Sequence, residues 1–476
     1  MAVTRGTIGI LFFLITAGAA ANAQPIETPP PAATKIDRNV NEAMHRFRVP
    51  GAAVMVIRDG RVTYARAFGF RDLQHRLPVR TDTLFEIGSI TKQFTAACIM
   101  QLQEKRKLQV DRPLSDYLPD APHAREVTLR QLLTHTSGLH DYLDGPPVEV
   151  SRLAARPIAY RDLIARVGKL PLDFTPGSKW SYSNTGYLLL GKVIEKVSGE
   201  SYRDYLENHI LRPLHMTDTY TTADEDRLPR MAIGYWHVNG KLERAPVIDP
   251  SWGYSAGFLV STLSDLAKWD AALRGGKVVS SASYREMTTP FVTGKNGSAD
   301  YGFGLFIDSV YGQPRIGHTG GSQGFTTADE YFPRQGVRIV AFTNLGDSTP
   351  EPGEALTNVV FGDLYPAIAA NALRPAPNEN ALVTRTVREA FRELQMGKDY
   401  ARFGARLKSK LAGGVGSKFV TAFGPYGAPT REIFIGIRRD AKDTWYDYKM
   451  QFGPGTLLPF AVKLDQDGTV SSFSIG

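Results

Sequence analysis

Phe85-Glu86-Ile87-Gly88-Ser89-Ile90-Thr91-Lys92-Gln93-Phe94-Thr95 places a serine and a lysine three residues apart. A serine hydroxyl is a poor nucleophile until a neighbouring base takes its proton. On a helix, positions i and i+3 share a face, so the Lys92 amine can approach the Ser89 oxygen. The run from Gln93 to Gln103 contains neither Gly nor Pro and reads as a helix, with Ala96, Ala97, Ile99, Met100 and Leu102 as its apolar residues. Ser89 then stands near the helix N-terminus, where the dipole favours developing negative charge. A four-residue pattern is unspecific by itself, so the weight falls on what accompanies it.

Two further motifs lie downstream. Trp180-Ser181-Tyr182-Ser183-Asn184 contains a Tyr-x-Asn. In an extended segment, i and i+2 point the same way, so Tyr182 and Asn184 enter one cleft together. A phenol with its ordinary pKa of about 10 is a poor base at neutral pH. A nearby ammonium such as Lys92 is expected to favour the phenolate and make it competent. Asn184 offers amide donors and an acceptor to a substrate amide. The third motif, Gly317-His318-Thr319-Gly320-Gly321, ends a predicted strand that can border the cleft and pair with an extended substrate. Its glycines let backbones approach closely. The backbone N–H groups of Ser89 and Gly321 are candidates for an oxyanion hole around an acyl tetrahedral intermediate.

Ser89-x-x-Lys92, Tyr182-x-Asn184 and His318-Thr319-Gly320, in that order, resemble the three active-site motifs of the serine beta-lactamase-like hydrolases. The closer relatives are class C beta-lactamases, D-alanyl-D-alanine carboxypeptidases, D-aminopeptidases and family VIII esterases. Leu132-Leu133-Thr134-His135-Thr136-Ser137-Gly138-Leu139, Trp180 through Gly191, and Tyr254 through Thr262 are also similar to segments of that family. The resemblance covers about residues 36–370. It implies that Ser89 attacks a carbonyl and forms an acyl-enzyme, that Lys92 and Tyr182 share the proton transfers, and that Asn184, His318, Thr319 and Gly320 bind substrate. Water or another acceptor then releases the acyl group. The class A pattern has Ser-Asp-Asn where this chain has Tyr-x-Asn, and adds a glutamate base.

One departure matters. Class C beta-lactamases usually carry Lys-Thr-Gly at the third motif, and this chain has His318. A neutral imidazole attracts a substrate carboxylate less strongly than lysine does, while still donating a hydrogen bond. The expected activity is therefore hydrolysis of peptides or amides, D-amino-acid peptides of the cell wall among them. Ester and beta-lactam substrates stay open. A non-catalytic envelope-binding or sensing role is the competing class, and the intact Ser89, Lys92 and Tyr182 argue against it.

The expected fold is α/β of the α+β kind. An antiparallel sheet is built from both chain ends, flanked by helices, with a helical lobe inserted and a small C-terminal α+β domain added. Ile36 to Phe47 reads as the first helix. Ala52 to Phe68 reads as a hairpin around Asp59-Gly60. Gly186 to Lys196, continuing into Tyr202 to Leu211, is helical, and Ser264 to Leu273 is amphipathic with Ser264 as N-cap. Strands return at Tyr301 to Ser309, Gln313 to Thr319, Thr326 to Phe332 and Val337 to Asn344, and Glu354 to Ala369 closes the unit as a helix. Arg374 to Asn380 reads as a linker. One helix follows, Val383 to Leu394, then strands near Ser417 to Phe423, Glu432 to Arg438, Trp445 to Phe452, Leu457 to Asp465 and Val470 to Phe473. The domain reading is thus 1–23 signal peptide, 24–35 Pro-rich leader, 36–373 hydrolase, 374–380 linker and 381–476 an α+β domain reminiscent of a cystatin- or NTF2-like cone.

Met1 to Ala23 has a basic Arg5, an apolar Ile8 to Ala20 and an Ala21-Asn22-Ala23 cleavage site. Cleavage after Ala23 predicts a secreted or periplasmic protein with no transmembrane segment left. Cys98 is the only cysteine, so no intrachain disulfide forms. The formal charge of +8, about +6 of it after residue 379, is read as a solvated basic face. No zinc-finger or RNA-recognition pattern accompanies it, so nucleic acid is not an expected partner. The expected partners are a small-molecule or peptide substrate and peptidoglycan. The nine histidines show no metal-ligand spacing, so neither metal nor cofactor is expected. His135 is expected to shape its loop, and Trp180 and Trp252 to pack or line the cleft.

Overall fold

The computed structural model describes residues 31–475 apart from 145–149, 151–152, 222–227, 239–240, 292–299, 347–350, 440–442 and 454–455. The signal-peptide reading and most of the Pro-rich leader lie outside the described residues. Asp59 (φ 50°) and Gly60 (φ 74°) both adopt positive φ, the conformation of a tight hairpin turn. They join β1 (Gly51–Arg58) to β2 (Arg61–Asp72). After β3 (Leu77–Pro78) and β4 (Phe85–Gly88) the chain leaves for the helical lobe, which carries β5 (Tyr220–Thr221), the hairpin β6 (Tyr235–Val238) and β7 (Lys241–Arg244), and β8 (Leu259–Ser261). It returns as β9 (Phe306–Val310), β10 (Gln313–Ser322), β11 (Phe325–Phe332) and β12 (Val337–Thr343). The main sheet runs β3-β2-β1-β12-β11-β10-β9, so strands from before and after the helical lobe build it, as the sequence predicts for this part of the chain.

The near-continuous apolar run of β1 follows from burial on both faces. Ala53, Met55 and Ile57 join the core shared with the helical lobe, whereas Ala52, Val54 and Val56 join the core on the opposite face. Helix Pro31–Phe47 covers that second face with Ile36, Val40, Ala43, Met44 and Phe47, one helical stripe, against helix Pro352–Leu364. On the lobe side, helix Thr91–Glu104 is buried along almost its whole length, and Phe94 stacks on Trp269 with ring centroids 3.9 Å apart.

Several element boundaries differ from the sequence reading. The first helix begins at Pro31 rather than Ile36; proline is tolerated in the first turn, where its missing N–H has no partner to lose. Helix Asn184–Ser198 stops at Gly199 (φ 80°), so Tyr202 to Leu211 is a separate segment. Helix Leu263–Arg274 is capped by Thr262, whose hydroxyl accepts from the Asp265 N–H, and Ser264 lies one residue inside. Only Phe306–Val310 of the first returning segment is a strand, because Gly304 turns the chain at φ 72°. The closing helix is two, Pro352–Leu364 and Pro366–Ala372, broken at Tyr365 before a proline.

The C-terminal residues form an antiparallel sheet, β13 (Arg431–Arg439), β14 (Thr444–Gln451), β15 (Leu457–Leu464) and β16 (Val470–Ile475), in sequential order. Helix Ala381–Met396 is capped by Asn380, whose Oδ1 accepts from Leu382 N at 2.9 Å. Its Val387, Phe391 and Leu394 pack with Tyr448, Met450 and Phe460 of the sheet. Gly416–Phe423 is a helix, not the expected strand. Its aromatic residues are four apart, so Phe419 and Phe423 stack on one helical face, and Phe423 meets Phe391. In the segment read from the sequence as a linker, Ala376 N donates to Phe434 O of β13 at 2.8 Å.

Candidate active site

The site forms where β4 meets β10. A Cβ on Gly320 would sit 2.0 Å from Ile87 O, and one on Gly88 (φ 51°) would sit 2.7 Å from Gly321 O and 2.8 Å from Gly321 N. Only glycine allows this backbone contact, and it brings the third motif against the residue preceding Ser89. The chain then turns at once into helix Thr91–Glu104, with Lys92 N donating to Ser89 O at 2.9 Å. The Lys92 side chain runs back inside that turn. Its ammonium nitrogen is 2.9 Å from Ser89 Oγ, 2.8 Å from Asn184 Oδ1 and 2.6 Å from Ala256 O.

Lys92 is fully buried. Burial pulls its pKa from the ordinary lysine range down to about 7, and the Asp141 charge only partly opposes this. Near neutral pH the amine is therefore available to take the Ser89 proton. Asp141 also sets the geometry. Its Oδ2 accepts from Asn184 N at 3.0 Å and Asn184 Nδ2 at 2.8 Å, and its Oδ1 accepts from Leu143 N at 2.9 Å. With the Asn184 NH₂ committed to Asp141, the amide oxygen faces Lys92. Asn184 itself is the first residue of helix Asn184–Ser198, after an extended Ser183.

The Tyr182 ring lies 4.8 Å from Lys92 Nζ. Its hydroxyl is buried and makes no well-formed hydrogen bond, though Ser89 is near enough to favour ionisation. Burial dominates and pushes the phenol well above its ordinary value. The expected phenolate is thus not what the surroundings support: Tyr182 keeps its proton, and a half-titrated Lys92 offers no fixed positive charge to change that. His135 packs against the Tyr182 ring at 4.1 Å and accepts from Ser183 N at 3.1 Å through Nδ1. It shapes the Tyr-x-Asn segment, as its loop position suggests.

His318 is also placed differently from its sequence reading. It is buried, and its pKa is drawn down to about 3 by burial and then by the Lys92 charge, so the ring is neutral. Nδ1 lies 2.5 Å from the Thr319 carbonyl, which can only accept, so Nδ1 carries the proton. Nε2 then accepts from the Tyr301 hydroxyl at 2.8 Å. Both nitrogens are spent inside the protein, and neither donates to a substrate carboxylate. Thr319 lies near enough to the Glu351 carboxyl to favour its ionised form, against burial and Glu354, which raise it.

A cavity of about 470 Å³ opens over Ser89, with Asn184, Gly257, Gly321, Ser322, Thr326 and Glu351 in its wall. Gly321 faces open space at its Cα, and Gly257 backs the Ser89 amide. Ser89, Asn184 and Gly321 therefore reach the cavity, while Lys92 and His318 are buried behind it. Trp252 is buried, donating from its indole to Arg156 O at 2.9 Å, and neither it nor Trp180 lines the cavity. Among the described residues, no three His, Cys, Asp or Glu side chains group to hold a metal ion, and no helix is long and apolar enough to cross a membrane.

Asp141, the Ala256 carbonyl, Tyr301 and Glu351 belong to the site without having been singled out in the sequence. Asp141 follows the Leu132 to Leu139 loop by two residues, and Ala256 lies inside the Tyr254 to Thr262 segment, so both were adjacent to recognised stretches. Tyr301 and Glu351 have no local pattern that marks them.

A buried lysine poised against a serine at a helix start, beneath a cavity edged by two small-residue backbones, makes this protein a serine hydrolase. The chain belongs to the Beta-lactamase family, whose model matches residues 36–362. The PbpX protein of Bacillus subtilis (strain 168), which carries a penicillin-binding protein name, is 31% identical over 312 residues, 65% of this chain and 75% of that one. The octameric penicillin-binding protein homologue from Pyrococcus abyssi superposes with a TM-score of 0.65 at 25% identity, covering 93% of this chain and 95% of that one. The D-amino acid amidase from Ochrobactrum anthropi SV3 superposes with a TM-score of 0.62 at 26% identity, covering 71% of this chain and 99% of that one.

Proposed function

We propose that the protein is an exported amide and peptide hydrolase that works through an acyl-enzyme at Ser89, with D-amino-acid peptides of the cell wall as its substrate class. The observation that carries this is the hydrogen-bonded line Asp141–Asn184–Lys92–Ser89, which ends on a nucleophile facing the cavity. Neutral Lys92 takes the Ser89 proton as Oγ attacks the substrate carbonyl. The Ser89 and Gly321 N–H groups face the resulting oxyanion. The C–N bond breaks as the leaving amine takes up a proton, for which protonated Tyr182 is the neighbouring donor, reprotonated from Lys92. Water attacks the ester as Lys92 takes its proton, and as the C–O bond to Ser89 breaks that proton passes from Lys92 to Oγ, so the acid departs and both Ser89 and Lys92 return to their starting states. The similarity to a D-amino acid amidase supports the amide and D-amino-acid parts of this reading. The Met1 to Ala23 pattern supports export.

Side-by-side turnover of D-aminoacyl amides, peptides ending in D-Ala-D-Ala, short acyl esters and a chromogenic cephalosporin tests the substrate class. The amides or peptides are expected to give the highest kcat/KM, and Ser89→Ala to abolish turnover. Faster cephalosporin or simple-ester turnover overturns the reading. Export is checked by the N-terminal mass of the mature protein, expected to begin at Gln24.

A further inference from the structure

We propose that Glu351 is the specificity determinant of the cavity, anchoring the free ammonium group of an aminoacyl amide or of a peptide's amino terminus. This rests on the proposed amide-hydrolase reading and narrows it to amine-bearing substrates.

Glu351 shares the cavity wall with Ser89. Burial and then the neighbouring Glu354 push its carboxyl up to about 7, with Thr319 opposing in part, and Oε2 is closed off from solvent with no partner among the described residues, so a cation beside it would restore the charged form. It precedes helix Pro352–Leu364 yet makes no side-chain cap, so it is not spent on the helix end. The neighbouring acids share one cation: Arg315 binds Glu330 at 2.6 Å, Glu354 at 2.8 Å and Asp308 at 2.6 Å, and Glu330, whose Oε2 is also unpartnered among the described residues, does not line the cavity. Glu351 is the acid of this neighbourhood that lines the cavity, and its Oε2, enclosed behind that wall, has no partner among the described residues. A buried acceptor left unmade is costly, and an ammonium supplies both the proton donor and the opposite charge.

The remainder of the wall points the same way. No Lys or Arg is among the described residues lining the cavity. His318, the position where a cation would greet a substrate carboxylate, is neutral and hydrogen-bonded internally. A substrate carboxylate would thus meet Glu351 with nothing to neutralise it, whereas an ammonium is matched.

The test compares D-phenylalanine p-nitroanilide with its N-acetylated form on the full chain, with fluorophosphonate labelling of Ser89 run in parallel. The wild type is expected to favour the free amine by about tenfold or more in kcat/KM, the effect of one charge-assisted hydrogen bond. Glu351→Gln is expected to bring that ratio to about one, mainly by raising KM for the free amine. Equal use of both forms by the wild type, or an undiminished preference in Glu351→Gln, overturns the inference. If Glu351→Gln does not fold, inhibition of the wild type by benzylamine against benzyl alcohol decides, with stronger inhibition by the amine expected and equal inhibition overturning it. Loss of Ser89 labelling in the wild type would instead overturn the hydrolase reading on which this rests.

Discussion

Replacing Asp141 with asparagine separates charge from position in the nucleophile's support. Asp141 does two things to Lys92: its charge favours the ammonium, and its grip on the Asn184 NH₂ turns the amide oxygen toward Nζ. Lys92 is held at about 7, so near pH 7 about half the molecules carry the neutral base. Only neutral lysine accepts a proton, so kcat/KM rises with pH through that value and falls below it. Removing the Asp141 charge lowers the Lys92 pKa further and moves this acid limb to lower pH. At pH 7 that change alone raises the neutral fraction by at most about twofold. An asparagine at 141 cannot accept from Asn184 and Leu143 together with both oxygens. One buried bond to a charged acceptor is lost, worth about 1.5–3 kcal/mol. The plateau of kcat/KM should therefore fall roughly 10- to 100-fold while the limb moves to acid, an outcome with opposite signs in rate and pKa. The assay is a pH series of kcat/KM for the wild type and Asp141→Asn on one amide substrate. An unmoved limb, or one displaced to higher pH, refutes the role given to Asp141.

Other consequences are as direct. Tyr182→Phe removes a buried proton donor and should lower kcat about 10²- to 10⁴-fold while leaving the Lys92 acid limb in place; loss of the limb in a pH series would mean that Tyr182, not Lys92, is the base. Gly320→Ala places a methyl group 2.0 Å from Ile87 O, so it should cost about 1–3 kcal/mol in chemical denaturation and displace Ser89; full activity with unchanged stability would contradict the backbone contact. Arg338→Met leaves Asp270 and Asp329 buried without their shared cation and should destabilise the protein by about 3–5 kcal/mol, as read by the denaturation midpoint.

Much of this architecture was legible because it obeys local rules. Asp59-Gly60 marked a hairpin, whereas the burial of β1 on both faces shows only once the lobe and the first helix are seen packed against it. Ser89 and Lys92 meet because three residues make one helical turn, and the structure puts them 2.9 Å apart. Single capping and turn residues were harder. Thr262 rather than Ser264 starts its helix, and Phe419 with Phe423 reads equally as a strand's aromatics or a helix's face until Phe391 and Phe473 are seen beside them. The electrostatics were least legible. The low pKa of Lys92, the retained Tyr182 proton and the internal bonding of His318 all follow from burial, a property of the assembled lobe and sheet. Glu351 comes from a segment 262 positions beyond Ser89, and only the closing of helix Pro352–Leu364 over β11 and β12 brings it to the cavity.

Trapping the acyl-enzyme is the most direct measurement. Rapid quench of the wild type with a D-aminoacyl ester, followed by peptide mass spectrometry, should find the acyl mass on the peptide containing Ser89, and Ser89→Ala should show none. An acyl adduct on another residue, or turnover that persists in folded Ser89→Ala, would contradict the assignment of Ser89 as the nucleophile that Lys92 activates.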